Sequence, residues 1–357
     1  MLGINAARRP GRATFRIAHP AVSGVVRPRL ILVWLTLAAV AFGVFCTAIA
    51  FGSGDFPVAL PDVVPALWGS GDPATLFAVR ELRLPRAMVA LLSGAAFGAA
   101  GAVFQTVTRN PLASPDMLGI TQGAGAAVAA GVAFGIGGGL SSQTLGLAGA
   151  LTAGVLIYLL AWNRGTTGYR IVLVGIGISW MCTSVTVYLV SRMELYQAQK
   201  IVGWLVGSLN DRGWAEARPL AFALLLTLPI LILLTRLQRT LLLGDEVAAG
   251  LGTPVQRTRL ALVLCASALA AFATAATGPV LFVALSSPQI AQRLARTPAP
   301  PLTAAALTGA AIVLVSDLIS QRLLSDMVIP VGVVTGVLGA PFLLWQLARA
   351  NRAGSGG

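Results

Sequence analysis

Residues 83–125, RLPRAMVALLSGAAFGAAGAVFQTVTRNPLASPDMLGITQGAG, decide what kind of fold this chain can adopt. Two arginines bracket a Leu-Pro pair at the start. A run of apolar and small residues follows, long enough for the roughly 20 residues an α-helix needs to cross about 30 Å of hydrocarbon. The run ends in a polar, proline-broken turn, Arg109-Asn110-Pro111-Leu112-Ala113-Ser114-Pro115-Asp116. A soluble core helix has no need of all these features. A membrane helix that packs closely, ends at an aqueous surface and hands over to a second membrane helix needs every one.

The whole chain agrees. Of its 357 residues 56% are hydrophobic and 10% charged, and the mean hydropathy is +0.83. Soluble domains carry about 25% charged residues, so lipid is the main solvent here. The net charge is +13, and Lys200 is the only lysine among the 25 basic residues. In a membrane protein such a bias bears first on orientation, not on nucleic acid.

Several chemistries are disfavoured. Cys46, Cys182 and Cys265 each lie within an apolar run without CxxC spacing, and are expected to be small buried hydrophobes. His19 is the only histidine, which argues against a His or Cys/His metal site and against histidine catalysis. No GxxxxGK[ST] is present, and Gln197-Ala198-Gln199 precedes Lys200. The chain therefore lacks a P-loop, and ATP, if it drives anything, binds another polypeptide.

A basic arm, 1–30, precedes a first apolar run at 31–51. That run is too long for a signal-peptide core and is taken as the first span. Further spans are expected near 87–107, 115–135, 143–162, 171–191, 219–236, 258–276, 277–295, 302–321 and 331–349. The span at 277–295 carries Pro279, Ser286, Ser287, Pro288 and Gln289. Lipid tolerates these only where the helix is buried in protein or lines water. With ten spans and both termini inside, the inner segments hold most of the arginines and three acids, Asp116, Asp245 and Glu246. The outer segments hold equal numbers of acids and bases. The positive-inside rule is met. The expected organisation is thus an arm (1–30), one transmembrane domain (31–349) and a short cytoplasmic tail (350–357). The fold class is an all-α integral membrane bundle.

Gly94, Gly98 and Gly101, and again Gly332 and Gly336, recur at helix-packing spacing. Segments 101–111 and 278–288 share their ends and length, a faint internal echo. Leu195, Ile201, Val202 and Leu205 predict a short helix in the outer connection 192–218, with Trp204 and Trp214 suited to the membrane–water boundary.

Four constellations stand out. Arg83 and Arg86 lie one turn apart around Pro85, facing the outer water; they could serve docking or merely pair with a neighbour such as Glu81. Asn110-Pro111-Leu112 is either an ordinary turn or a constriction on a solute path. In the inner loop (about 240–256), Asp245 and Glu246 favour a helix start, and Gly252 before Pro254 stops it. Val247 and Leu251 would share one face of that two-turn helix, and nothing in the chain is evidently available to cover them. Asp317, near the end of its span, is either functional or paired, with Arg322 close in sequence.

These residues, in this order, resemble the FecCD-type permease family. The resemblance covers about 30–352. It rests on RLPR (83–86), RNPLASPDMLG (109–119), LVGIGIS (173–179), WLVGSL (204–209), GDEVAAGLG (244–252) and PVGVVTGVLGAPFLLW (330–345). Family members are the membrane subunits of ABC importers for ferric siderophores, haem and cobalamin, each with ten helices in the type II arrangement. VFQTVTRNPLASPDMLG, SSPQIAQRLARTP and Arg349-Ala350-Asn351-Arg352 are most similar to permeases of the ferric-enterobactin type.

The resemblance implies roles. Arg83 and Arg86 would dock carboxylates of a periplasmic or lipid-anchored binding protein. The third docking arginine of the family falls at Gln321, with Arg322 one residue on. Gly244, Asp245, Glu246, Val247, Ala248, Leu251 and Gly252 would form the coupling helix that seats in an ATPase. Asn110 and Leu112 match one inner gate, and Thr166 and Thr167 a second. Two permease subunits, the partner being a related second chain, would work with two ATPases. No cofactor or metal would be bound by this chain, and it would be no enzyme: ATP and Mg²⁺ belong to the ATPase, and iron travels inside the siderophore. An ion-coupled transporter would want acids in mid-membrane, and Asp317 is the only acid expected within a span. An intramembrane enzyme would need a cluster that the sequence does not show. Haem or cobalamin remains open as cargo.

Overall fold

The structure, a computed structural model, describes residues 4–9, 12–17, 22–52, 58–136, 141–163, 165–322 and 329–354. His19, Arg164, counted among the expected inner arginines, and the end of the expected tail, 355–357, lie outside the described residues.

The basic arm is not featureless. Strands β1 (Ile4–Arg9), β2 (Arg12–Ile17) and β3 (Val22–Val26) pair antiparallel in the order β1-β2-β3.

Helices then follow in chain order: α1 (Pro28–Phe51), α2 (Leu60–Leu67), α3 (Pro73–Phe77), α4 (Leu84–Thr108), α5 (Ile120–Ala133), α6 (Ser142–Ala161) and α7 (Gly168–Ser191). After them come α8 (Leu195–Val206), α9 (Trp214–Leu241), α10 (Asp245–Gly250), α11 (Val255–Thr277), α12 (Val283–Ala295), α13 (Leu302–Arg322) and α14 (Val331–Gly354). A π-helical stretch, Ala78–Arg83, joins α3 to α4. The helix expected from residue 87 therefore begins at Pro73 and runs unbroken to Thr108.

Every expected span contains a helix. Seven are long and apolar enough to cross a membrane, and α5 and the described apolar part of α14 are shorter. The segment expected at 277–295 is not one continuous helix. Its helix, α12, has 13 residues, about 20 Å long, too short to cross the hydrocarbon alone. Residues 278–282 reach it as irregular chain, with Gly278 and Phe282 both at positive φ. Ser286, Ser287, Pro288 and Gln289 are all buried in protein, the condition under which lipid tolerates them. This also removes the internal echo. Residues 101–108 are regular helix, whereas their counterparts at the start of 278–288 are not.

Helix α4 is the axis of the bundle. It is buried along most of its length and packs against α9, α11, α12 and α13. Its glycines explain how. A Cβ at Gly94 would collide with the backbone of Gly309 and Ala310, and one at Gly309 with Gly94. Backbones that touch in this way supply the dispersion that lipid cannot. Gly98 meets Ala305 and Gly101 meets Ala284, as their spacing predicts. The matching expectation for α14 holds at Gly332, which abuts Val206, but fails at Gly336, which faces open space.

The outward faces are apolar. On α1, Leu32, Leu35 and Phe42 are exposed, and Cys46 with them, while Cys182 and Cys265 are half-buried. The expectation of buried cysteines is thus corrected. In lipid an apolar side chain needs no protein cover, so an apolar run does not report burial. Trp204 has a neighbour the sequence did not indicate. It is half-buried and packs on Gly146, 3.1 Å from where a Cβ would stand there. Hydroxyls within helices bond their own chain: Thr106, Ser287 and Thr308 each donate to the carbonyl four residues back.

Candidate functional site

The residues singled out by sequence gather at opposite ends of the bundle. At one end stand the π stretch, the start of α4 and the end of α13. Arg83 does not face water: it is 7% exposed. Its guanidinium donates to the carbonyls of Ala50 at 3.0 Å and Ile49 at 3.4 Å. Arg322, exposed, donates to the carbonyl of Phe51 and lies 5.9 Å from the centre of that ring. Two arginines from distant segments thus cap the C-terminus of α1, where unpaired carbonyls and the helix dipole favour cations.

Arg86 is bound differently. Its guanidinium grips the Asp317 carboxylate at 2.8 Å, and Asp317 is 1% exposed. The amide of Gln321 donates to the other Asp317 oxygen at 2.6 Å. Asp317 is therefore paired, but across α4 and α13 to Arg86 and not to Arg322. These groups, with Asp211 and Arg212, line a cavity of ≈ 290 Å³. Burial lowers the Arg212 guanidinium below its ordinary pKa, opposed by the carboxylates of Glu216 and Asp211.

The other end collects three loops. Helix α4 closes on Arg109, in the left-handed region at φ 53. Asn110 Oδ1 then accepts from Leu112 N at 3.0 Å, which fixes the turn. Asn110 and Leu112 are half-buried. The turn is held from α12: Gln289 donates to Pro111 O at 3.4 Å and to Gln105 Oε1 at 2.6 Å.

Thr166 is fully buried. Its N–H and hydroxyl donate to Gln256 Oε1 at 2.9 and 3.1 Å, and its carbonyl accepts from Arg259. Thr167 caps α7 through its hydroxyl, which accepts from Arg170 N. Helix α10 is the two-turn helix expected of the 244–252 loop. Gly244 (φ +109) and Gly252 (φ +80) bracket it in conformations that a side chain would strain. Ala248 is buried beneath it, while Glu246, Val247 (51%) and Leu251 (61%) face outward.

One carboxylate ties these loops together. Asp245 accepts from Arg109 at 2.8 Å and from Arg259 at 2.8 and 3.0 Å. Thr108, Arg109, Thr167, Asp245, Val247 and Arg259 share a cleft of ≈ 480 Å³. The structure therefore joins Asn110–Leu112, Thr166–Thr167 and 244–252, which are far apart in sequence. Gln256 and Arg259 were not singled out by sequence. The available signal was an arginine one residue inside an apolar span.

Residues 36–349 match the FecCD transport family. The chain belongs to that family. The ferric enterobactin transport system permease protein FepG of Escherichia coli is 39% identical over 301 residues, covering 84% of this chain and 91% of that protein. The achromobactin transport system permease protein CbrC of Dickeya dadantii is also 39% identical, over 304 residues, with 84% and 87% covered. The iron(3+)-hydroxamate import system permease protein FhuG of Bacillus subtilis is 34% identical over 316 residues, with 85% and 93% covered. A solved inward-facing metal-chelate type ABC transporter has the same fold, with a TM-score of 0.78 over 88% of this chain and 98% of that one at 23% identity. This FecCD chain is thus a multi-pass membrane protein with a transport permease fold.

Proposed function

We propose that this chain is the permease subunit of an ABC importer that carries a ferric siderophore across the cytoplasmic membrane. Its cargo is a catecholate chelate of the ferric enterobactin kind, the reading favoured by the likeness to FepG. A related second permease chain completes the pathway, two ATPases bind below, and a binding protein delivers the chelate above. The chain crosses the membrane ten times with both termini in the cytoplasm. The arginine excess of the segments around 109, 236–239 and 257–259 supports that orientation. The end that holds Asp245 is then the inner one.

The observation that carries the proposal is α10. Its Val247 and Leu251 side chains stand in water-facing chain, uncovered among the described residues. An apolar stripe on a charged inner loop fits a groove on another protein. No covalent chemistry is required of the permease. It has to exist in two conformations that ATP and the loaded binding protein favour unequally.

Leu251→Glu tests this directly. The expected outcome is loss of the ATPase from the purified complex with the permease still folded. Normal co-purification would remove α10 from the interface. Uptake of ⁵⁵Fe-loaded enterobactin, compared with a hydroxamate chelate in cells lacking other importers, tests the cargo.

A further inference from the structure

We infer that the Asp245 carboxylate is the joint through which α10 moves both inner loops, and not a contact to the ATPase. The inference rests on the coupling role proposed for α10.

Asp245 opens the first turn of α10, where an acid could serve the helix dipole alone. Its partners indicate more. One oxygen is shared by two guanidinium groups on separate elements. Arg109 is the last residue of the α4 helix path, directly before Asn110–Leu112, and its Nε also donates to Leu241 O at 3.0 Å. Arg259, 2% exposed, reaches from Asp245 to the Thr166 carbonyl. Gln256, one turn earlier on α11, holds the same residue by its N–H, hydroxyl and carbonyl. Two limbs therefore leave one carboxylate. The first runs through Arg109 to the 110–112 turn. The second runs through Arg259 to Thr166, which Gln256 also holds from the same helix.

Charge-assisted bonds of this kind are short and directional. Removing the carboxylate leaves Arg259 buried without its counter-charge. A displacement of α10 then pulls both loops or breaks the joint. Asp245 acts through its partners, so it is a positioning residue, and its effect belongs to motion.

The test uses the purified permease–ATPase complex in lipid nanodiscs, with Cys46, Cys182 and Cys265 replaced by serine. Spin labels are placed at Leu112→Cys or Tyr169→Cys, each with a reference label at Leu151→Cys on α6. Distances are measured with and without ATP and Mg²⁺. In the parent complex both labels move. With Asp245→Asn the ATPase still co-purifies and hydrolyses ATP, both labels stay still, and solute moved per ATP falls more than tenfold. Arg109→Gln stills the label at 112 only. Arg259→Gln stills the label at 169 only; Asp245 is then still paired with Arg109 and partly exposed, so no charge is stranded. Arg257→Gln, which removes an exposed charge from the same turn of α11, leaves both motions intact.

Three results would overturn the inference: both labels moving normally in Asp245→Asn, either single-limb variant stilling both labels, or Asp245→Asn shedding the ATPase, which would make Asp245 a docking residue. A parent complex that never holds an ATPase instead defeats the underlying functional proposal.

Discussion

Arg83 and Arg86 show how far residue type carries. Sequence places them one turn apart at the head of α4, and both were expected to reach water. The structure engages Arg83 with the carbonyls ending α1 and Arg86 with Asp317. The Arg86–Asp317 pair is nearly buried, so breaking it from one side strands a charge. Asp317→Ala should cost about 3 kcal/mol, read as a lower Tm of the purified permease. Arg86→Met with Asp317→Leu should recover most of that loss. An undiminished Tm in the single variant would mean the pair contributes nothing. Docking of a binding protein is better probed at exposed Arg322. Arg322→Glu should slow association, and its difference from the parent should shrink as salt rises. Identical rates at low salt would take Arg322 out of the docking face.

At the scale of elements, small residues determine which helices meet. Gly94 and Gly309 leave no room for a methyl group between α4 and α13. Gly94→Ala should therefore destabilise by about 1–3 kcal/mol, lowering the Tm in detergent and the folded yield. Gly336→Ala, where a Cβ meets nothing within 4 Å, should leave the Tm of the isolated chain unchanged. Equal responses would show that close approach does not hold this bundle. The glycine spacing in α4 was legible because three glycines fall on one helical face. The pattern in α14 looked the same and was only half right. Spacing states which residues share a face, not whether a neighbour stands opposite.

For the whole molecule, orientation controls every functional assignment. With α10 inside, a membrane-impermeant maleimide should label Val247→Cys, in a chain without its native cysteines, only after vesicles are opened. Leu82→Cys, exposed at the other end, should react in intact right-side-out cells. The reverse pattern would place the apolar stripe of α10 where no ATPase can reach it.

The sequence by itself determined the membrane class, the run of helices, the short helix at 245–250 and the family. Each is written locally: in stretches of apolar residues, in Gly and Pro stops, or in motifs of adjacent residues. Tertiary structure alone decided that α12 is short and entered by irregular chain. It decided that Trp204 packs on Gly146 and that Cys46 faces outward. It also decided that Asp317 belongs to Arg86, and that Asp245 joins loops separated by more than a hundred positions. The reason is physical. Lipid accepts apolar surface at no cost, so hydrophobicity marks what crosses but not what is covered. The partner of a charge depends on which helix backbones approach closely enough to bring it near, and no single segment encodes that.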